Sequence, residues 1–164
     1  MGRWRPPSEP SSPYITAEGY AALEAEVSLL WVRRRETVVA LSAAAAEGDR
    51  SENAEYIYRK KELREIDRRI HYLQKRMPRL KVVTVVGDRA RVFFGAWVGL
   101  LDEDGVEYTY RIVGADELDP AKGTISVDSP LAKRLLKAAV GDEIAHPVGD
   151  TVRHYEVTAI RYAD

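Results

Sequence analysis

Between residues 47 and 56 the chain reads Glu-Gly-Asp-Arg-Ser-Glu-Asn-Ala-Glu-Tyr, which gathers four carboxylates, an arginine and an asparagine in ten residues. Asp49 and Glu52 stand three positions apart. If a helix begins here, that spacing sets both on one face within one turn. Two carboxylates so placed can share one hard cation. Magnesium is the natural candidate: it takes oxygen ligands, keeps several waters, and is often held by only one or two carboxylates plus phosphate. The same residues have a commoner use. Asp followed by Ser and Glu at a helix start is a capping arrangement, with Asp49 or Ser51 as cap and Glu52 in the first turn. Spacing alone leaves both uses open. Asn53 and Tyr56 fit turn support or packing. His71, His146 and His154 are scattered and add no ligand spacing to these acids. The sequence contains neither the glycine-rich phosphate loop nor the serine nucleophile elbow.

Two helical patterns flank the acids. Tyr20, Leu23, Val27, Leu30, Arg34, Thr37, Leu41 and Ala44 recur at alternating spacings of three and four, a heptad seam with a polar fault at Arg34 and Thr37. Thr16 can cap this helix through its hydroxyl, and Gly48 suits its end, where φ is often positive. Leu63, Ile66, Ile70, Leu73, Met77 and Leu80 keep the same alternation in a second helix, which Pro78 should kink or end near Met77. The short link makes the pair antiparallel. At about 30 residues each and 1.5 Å per residue, the hairpin should be about 45 Å long. Such a rod is a reach device, with too little core to build an enzyme site of its own.

From Lys81 the texture turns to β. Val82–Val86 is strand-rich and Arg91–Leu100 reads as one long strand. Asp102–Gly105 is a hairpin turn, with Asp-Gly supplying positive φ, and Val106–Val113 returns. Thr124–Val127 is a short strand. Ser129 caps a helix that has Pro130 in its first turn and runs to about Ala139. Strands at Glu143–Val148 and Val152–Tyr162 finish the chain. The fold class is α+β: an antiparallel two-helix coiled coil, then a small domain with a mostly antiparallel sheet. The division is a tail over 1–13, disordered because Pro and Ser build no core, a coiled-coil hairpin over 14–81 with its acidic tip at 48–56, and a globular domain over 82–164.

The totals agree with a globular chain of this size: 164 residues, 45% hydrophobic and 31% charged. There is no cysteine, which excludes a disulfide framework and any Cys-built zinc site and is compatible with a reducing cytosol. No apolar run approaches the roughly 20 residues of a membrane span, and the first residues lack the apolar core of a signal peptide. A cytoplasmic monomer with no membrane partner is expected. The net charge of −1 hides an asymmetry. Residues 1–81 carry 16 basic and 12 acidic side chains, and residues 82–164 carry 9 and 14. Within 50–81 the counts are 11 and 5. A run of this kind is most often a solvated helix face, but it can also steer a protein toward nucleic acid.

The tip Gly48–Tyr56, with Tyr58–Arg69 after it, closely resembles the bacterial Gre transcript-cleavage factors. Val92-Phe93-Phe94-Gly95-Ala96-Trp97-Val98, Arg111-Ile112-Val113-Gly114 and Ile125-Ser126-Val127-Asp128-Ser129-Pro130 agree with the same family in order. Arg50, the Arg64–Arg69 run and the Phe93–Val98 stretch look like the GreB branch rather than GreA. The resemblance spans about residues 14–162 and leaves out the tail, including Trp4. It implies an FKBP-like globular domain that docks on RNA polymerase at the rim of its secondary channel. The coiled coil then passes down that channel to the RNA 3′ end of a backtracked complex. It implies a factor that stimulates the polymerase's own cleavage and is not itself an enzyme. It carries no cofactor of its own. Asp49 and Glu52 are the matching acids, donated to the second magnesium ion of the polymerase active site, with Ser51 and Asn53 as polar support. Arg59, Lys60, Arg64 and Arg68 then face RNA or polymerase, and Asp128, Ser129 and Pro130 match the docking segment. Competing readings are a channel-blocking inhibitor, which the intact Asp49/Glu52 pair argues against, and a coiled-coil adaptor with dispensable acids. Peptidyl-prolyl isomerase activity would rest on fold analogy alone.

Overall fold

The computed structural model describes residues 10–48, 53–84 and 87–163. The chain divides into two compact units, one of residues 18–80 and the other of residues 1–17 together with 81–164.

The first unit is a helical hairpin. Helix α1 runs Ala17–Ala45 and helix α2 runs Ala54–Arg76. Cross-helix pairs show that they are antiparallel: Glu26 meets Arg69 and Arg34 meets Asp67, each at 2.6 Å, and Ala44 meets Asn53. As the residue number rises on one helix it falls on the other. The seam buries Leu23, Leu30, Thr37 and Ala44 of α1 against Ile66, Ile70 and Leu73 of α2. Each fully buried aliphatic side chain contributes about 1.5–3 kcal/mol. The expected polar fault is half right. Arg34 is partly exposed and reaches out to Asp67, whereas Thr37 is buried in the seam at 2% exposure. Helix α1 has the expected length, with 29 residues, but α2 has only 23. Pro78 lies in a 3₁₀ turn, Met77–Arg79, that ends the α-helix at Arg76, as expected, and the helix begins only at Ala54, after Asn53. Gly48 follows the end of α1 with φ 132°, open only to glycine without strain.

The second unit is built on strands β1 (Tyr14–Ile15), β2 (Lys81–Val82), β3 (Trp97–Asp102), β4 (Glu107–Val113), β5 (Thr124–Ser126), β6 (Glu143–Val148) and β7 (Thr151–Arg161), with one short helix, α3 (Pro130–Leu135). Strands β1 and β2 pair in parallel, so the segments that enter and leave the hairpin lie side by side. The other five form one sheet in the order β5-β4-β3-β7-β6, antiparallel except for β4–β5. Strand alternation puts Val98 and Leu100 of β3, Ile112 of β4 and Val157 of β7 on one face. Ala132 and Leu135 of α3 close over it, all of them fully buried. On the other face Trp97 stands between its cross-strand partners Arg111 and Arg161, whose guanidinium carbons lie 3.8 and 4.4 Å from the ring centroid.

Several expectations change. Arg91–Leu100 is not one strand. Gly95 turns the chain with φ 86°, and only Trp97 onward joins the sheet. The earlier part is pinned by Tyr162, whose hydroxyl accepts from the Phe93 N–H at 2.9 Å and donates to the Arg91 carbonyl. Helix α3 stops at Leu135, short of Ala139, because the chain turns at Lys137 with φ 71°. Of the β-rich run after Lys81, only Val82 is paired in a strand, and residues 85 and 86 lie outside the described residues. The segment read as a tail is held at its end, since Pro13 accepts the Lys81 N–H at 2.7 Å. Residues 14–17, assigned above to the hairpin, cluster with the sheet unit.

Candidate functional site

Among the described residues, Asn53 links the two helix ends at the hairpin tip. Asn53 is the N-cap of α2: its Oδ1 accepts the Tyr56 N–H at 3.1 Å. Its Nδ2 donates to the Ala44 carbonyl at 2.7 Å, a second bond for an oxygen at the end of α1 that also accepts the Glu47 N–H at 3.2 Å. A single amide thus serves both helix ends, accepting through its oxygen and donating through its nitrogen, which an ionised carboxylate could not do because it has no donor. This corrects the capping expectation. Asp49 and Ser51 are not the cap, and Glu52 precedes the helix instead of lying in its first turn, where Glu55 stands. The helical argument for Asp49 and Glu52 on one face therefore lapses. Asp49, Arg50, Ser51 and Glu52 themselves lie outside the described residues.

Glu55 and Glu62, the described acids of the first turns of α2, are both committed. Arg59 donates to Glu55 at 2.8 Å and to Glu62 at 3.0 Å. Those two hydrogen bonds hold its guanidinium above its ordinary pKa. Arg59 also lies over the Tyr58 ring at 5.5 Å. It is therefore a local brace on a different face from the cations grouped with it above.

Those cations do form a stripe. At about 100° per residue, Lys60, Arg64, Arg68, His71 and Lys75 fall within an arc of about 80°, on the side away from Ile66, Ile70 and Leu73. All five are exposed. Toward the end of α2 the stripe opens into a shallow groove lined by Arg68, His71, Tyr72, Lys75, Arg76 and Arg79. Tyr72 is 43% exposed there. Sequence reading stopped at Arg68, although the same spacing of three and four continued through His71 and Lys75. Among the described residues no group of three or more His, Asp or Glu could hold a metal ion.

In the sheet unit, Asp128, Ser129 and Pro130 form the turn into α3. Ser129 caps the helix, its Oγ accepting the Ala132 N–H at 3.2 Å, and Pro130 occupies the first turn and is exposed. The Asp128 N–H donates to Ser126 Oγ at 3.1 Å. Its carboxylate is engaged by Ser12, whose N–H donates to one oxygen at 2.9 Å and whose hydroxyl donates to the other. Four residues on, Thr16 repeats the arrangement. Its N–H and hydroxyl both donate to the Glu117 carboxylate, so the hydroxyl expected to cap α1 is engaged across the chain. Ser12 was not singled out in the sequence, where nothing but its neighbour Pro13 marks it.

The fold and these charged faces define a two-unit protein: a helical hairpin with a basic stripe, and a small α+β unit with a braced turn. Residues 13–82 match the N-terminal domain model of transcription elongation factors, and residues 87–162 match the GreA/GreB C-terminal model. The chain belongs to the GreA/GreB family of transcription elongation factors. It is 57% identical to the transcription elongation factor GreB of Xanthomonas axonopodis pv. citri (strain 306), covering 99% of each chain. It is 56% identical to the GreB of Pseudomonas aeruginosa, over 88% of this chain and 87% of that one. The crystal structure of GreA factor homolog 1 of Thermus thermophilus matches with a TM-score of 0.42 and 24% identity, over 90% of this chain and 97% of that one.

Proposed function

We propose that this elongation factor binds bacterial RNA polymerase and passes its hairpin into the secondary channel. There it stimulates the polymerase's own endonucleolytic cleavage of the RNA 3′ end in backtracked, arrested complexes. In this reading the chain is not a nuclease. It completes an active site that belongs to its partner.

The observation that supports the proposal is the cap. Asn53 caps α2 and ties it to the Ala44 carbonyl, so the N-cap of α2 does not call on Asp49 or Glu52. Their donor chemistry suits magnesium, whose ligands are hard oxygens. Asp49 and Glu52 would hold the second, weakly bound magnesium ion of the polymerase, and Glu52 would also orient the attacking water. A metal pair in such a site supplies charge neutralisation for in-line phosphodiester displacement. Asn53 gives the tip its shape, and Ser51 is a supporting polar group.

The stripe of Lys60, Arg64 and Arg68 faces extruded RNA or the channel wall. It offers phosphate neutralisation, which is independent of base sequence and weakens with salt. Asp128, Ser129 and Pro130 form the docking turn. The test is transcript cleavage in a stalled, backtracked elongation complex at fixed magnesium. Wild type should accelerate cleavage, and the double variant Asp49→Ala/Glu52→Ala should bind polymerase with near wild-type affinity but give no acceleration. Loss of binding in that variant would make the acids structural, and slowed elongation by wild type without cleavage would make the protein an inhibitor.

A further inference from the structure

The strongest unexplained feature is the grip that residues at the start of the chain take on the candidate docking turn. Ser12 and Asp128 are 116 positions apart, yet both carboxylate oxygens accept from one serine. Paired donors to a carboxylate are charge-assisted and fix its orientation as well as its position. Both ends of the clamp are anchored. On the donor side, Pro13 accepts from the Lys81 N–H, and Ile15, fully buried, pairs with Val82. On the acceptor side, the Val127 N–H donates to the Val113 carbonyl at 2.8 Å and the Ser129 N–H to the Ser126 carbonyl at 2.9 Å. With both oxygens turned toward Ser12, the Asp128 carboxylate is used inside the unit. The exposed part of the turn is Pro130, with Ser129 behind it.

We propose that Ser12 is a positioning residue for partner binding: by clamping Asp128 it holds the Ser126–Pro130 turn in the shape that polymerase meets. The inference rests on the docking role proposed for Asp128, Ser129 and Pro130, and assigns Asp128 to act through Ser12. Without the clamp the turn samples other shapes, and docking must order it again, which weakens association without touching any contact surface.

The experiment titrates purified RNA polymerase with the full chain and its variants, reading affinity and, separately, the cleavage rate at saturating factor. Ser12→Ala should bind about tenfold more weakly, the scale of one charge-assisted hydrogen bond, and keep the saturated cleavage rate. Ser12→Thr retains both donors and should restore affinity, which separates loss of the clamp from loss of fold. Asp128→Asn should weaken binding by a similar factor, and adding Ser12→Ala to it should weaken binding no further. Wild-type affinity in Ser12→Ala, or fully additive losses in the double variant, would overturn the inference alone. Failure of wild type itself to bind polymerase would overturn the docking reading and this inference with it.

Discussion

Asp102 ends β3 at the hairpin turn with its carboxylate saturated. Its Oδ1 accepts the N–H groups of Val106 and Asp104, each at 2.9 Å, and its Oδ2 accepts the Tyr108 hydroxyl at 3.2 Å. The bond from Val106 is the largest influence holding its pKa below the ordinary carboxylate value. Burial opposes it, and the Asp104 and Tyr108 bonds and the charge of Arg153 add to it. A depressed folded-state pKa stabilises the protein above the unfolded value, near 4, and that stabilisation is lost as pH falls through the folded value. Asp102→Asn should therefore show a shallower fall in thermal midpoint between about pH 5 and pH 2, measured beside wild type by circular dichroism. Parallel curves for the two proteins would remove Asp102 from the acid response. Sequence reading took the Asp102–Gly105 stretch as a turn signal, which the structure bears out. The Asp104 donor is local, two residues on, but the Val106 and Tyr108 donors come within reach only when the hairpin closes.

At the scale of elements, the tip and the stripe follow different rules. The tip depends on one amide that reaches two helices. Asn53→Ala removes an N-cap, a loss of about 1 kcal/mol, and the link to the Ala44 carbonyl, which keeps the Glu47 N–H. Chemical denaturation should show a loss of about 1–2 kcal/mol, with faster hydrogen exchange at Tyr56. Asn53→Asp should keep the cap and lose only the link to α1. The stripe depends on helical periodicity alone. Reversing Arg64 and Arg68 to Glu should lower stimulated cleavage most at low factor concentration and low salt, because phosphate neutralisation is screened as salt rises. Arg59→Gln should cost helix stability instead, since its partners are Glu55 and Glu62. Equal effects at Arg59 and Arg64 across a salt series would refute the division between brace and stripe.

At the scale of the molecule, the hairpin and the sheet unit do separate work. The hairpin's seam is narrow, and outside it α2 carries the basic stripe while α1 exposes Leu29, Val32 and Val39 among its charges. The sheet unit has the larger core, and residues from the start of the chain are part of it. Ser12 and Thr16 each grip a carboxylate more than a hundred positions away, and Gly114 has no side chain because a Cβ would meet the Tyr14 carbonyl at 2.0 Å. The N-terminal strand therefore completes the sheet unit, and removing residues 10–15 should unfold that unit's β1–β2 pairing as well as loosen the Ser126–Pro130 turn proposed for docking. A shortened chain with unchanged near-ultraviolet spectrum and unchanged polymerase affinity would show the strand to be dispensable.

The sequence determined by itself whatever depends on period and on local chemistry: two antiparallel helices, the Pro78 stop, the Ser129 cap with Pro130 behind it, the last two strands, and the family. Those signals are written within a few residues and survive any tertiary arrangement. The Arg59 pairs with Glu55 and Glu62, three and four positions away, and the stripe through His71 and Lys75 were also written in the helical spacing. Tertiary structure alone decided that Asn53 reaches the end of α1 as well as capping α2, that Thr37 is core, and that Ser12 belongs to the Asp128 turn. Each of these turns on a donor meeting an acceptor across the chain, or on which face of a helix its neighbour covers. No local spacing encodes such a meeting, because capping and pairing are won by whichever group the closed fold brings within about 3 Å.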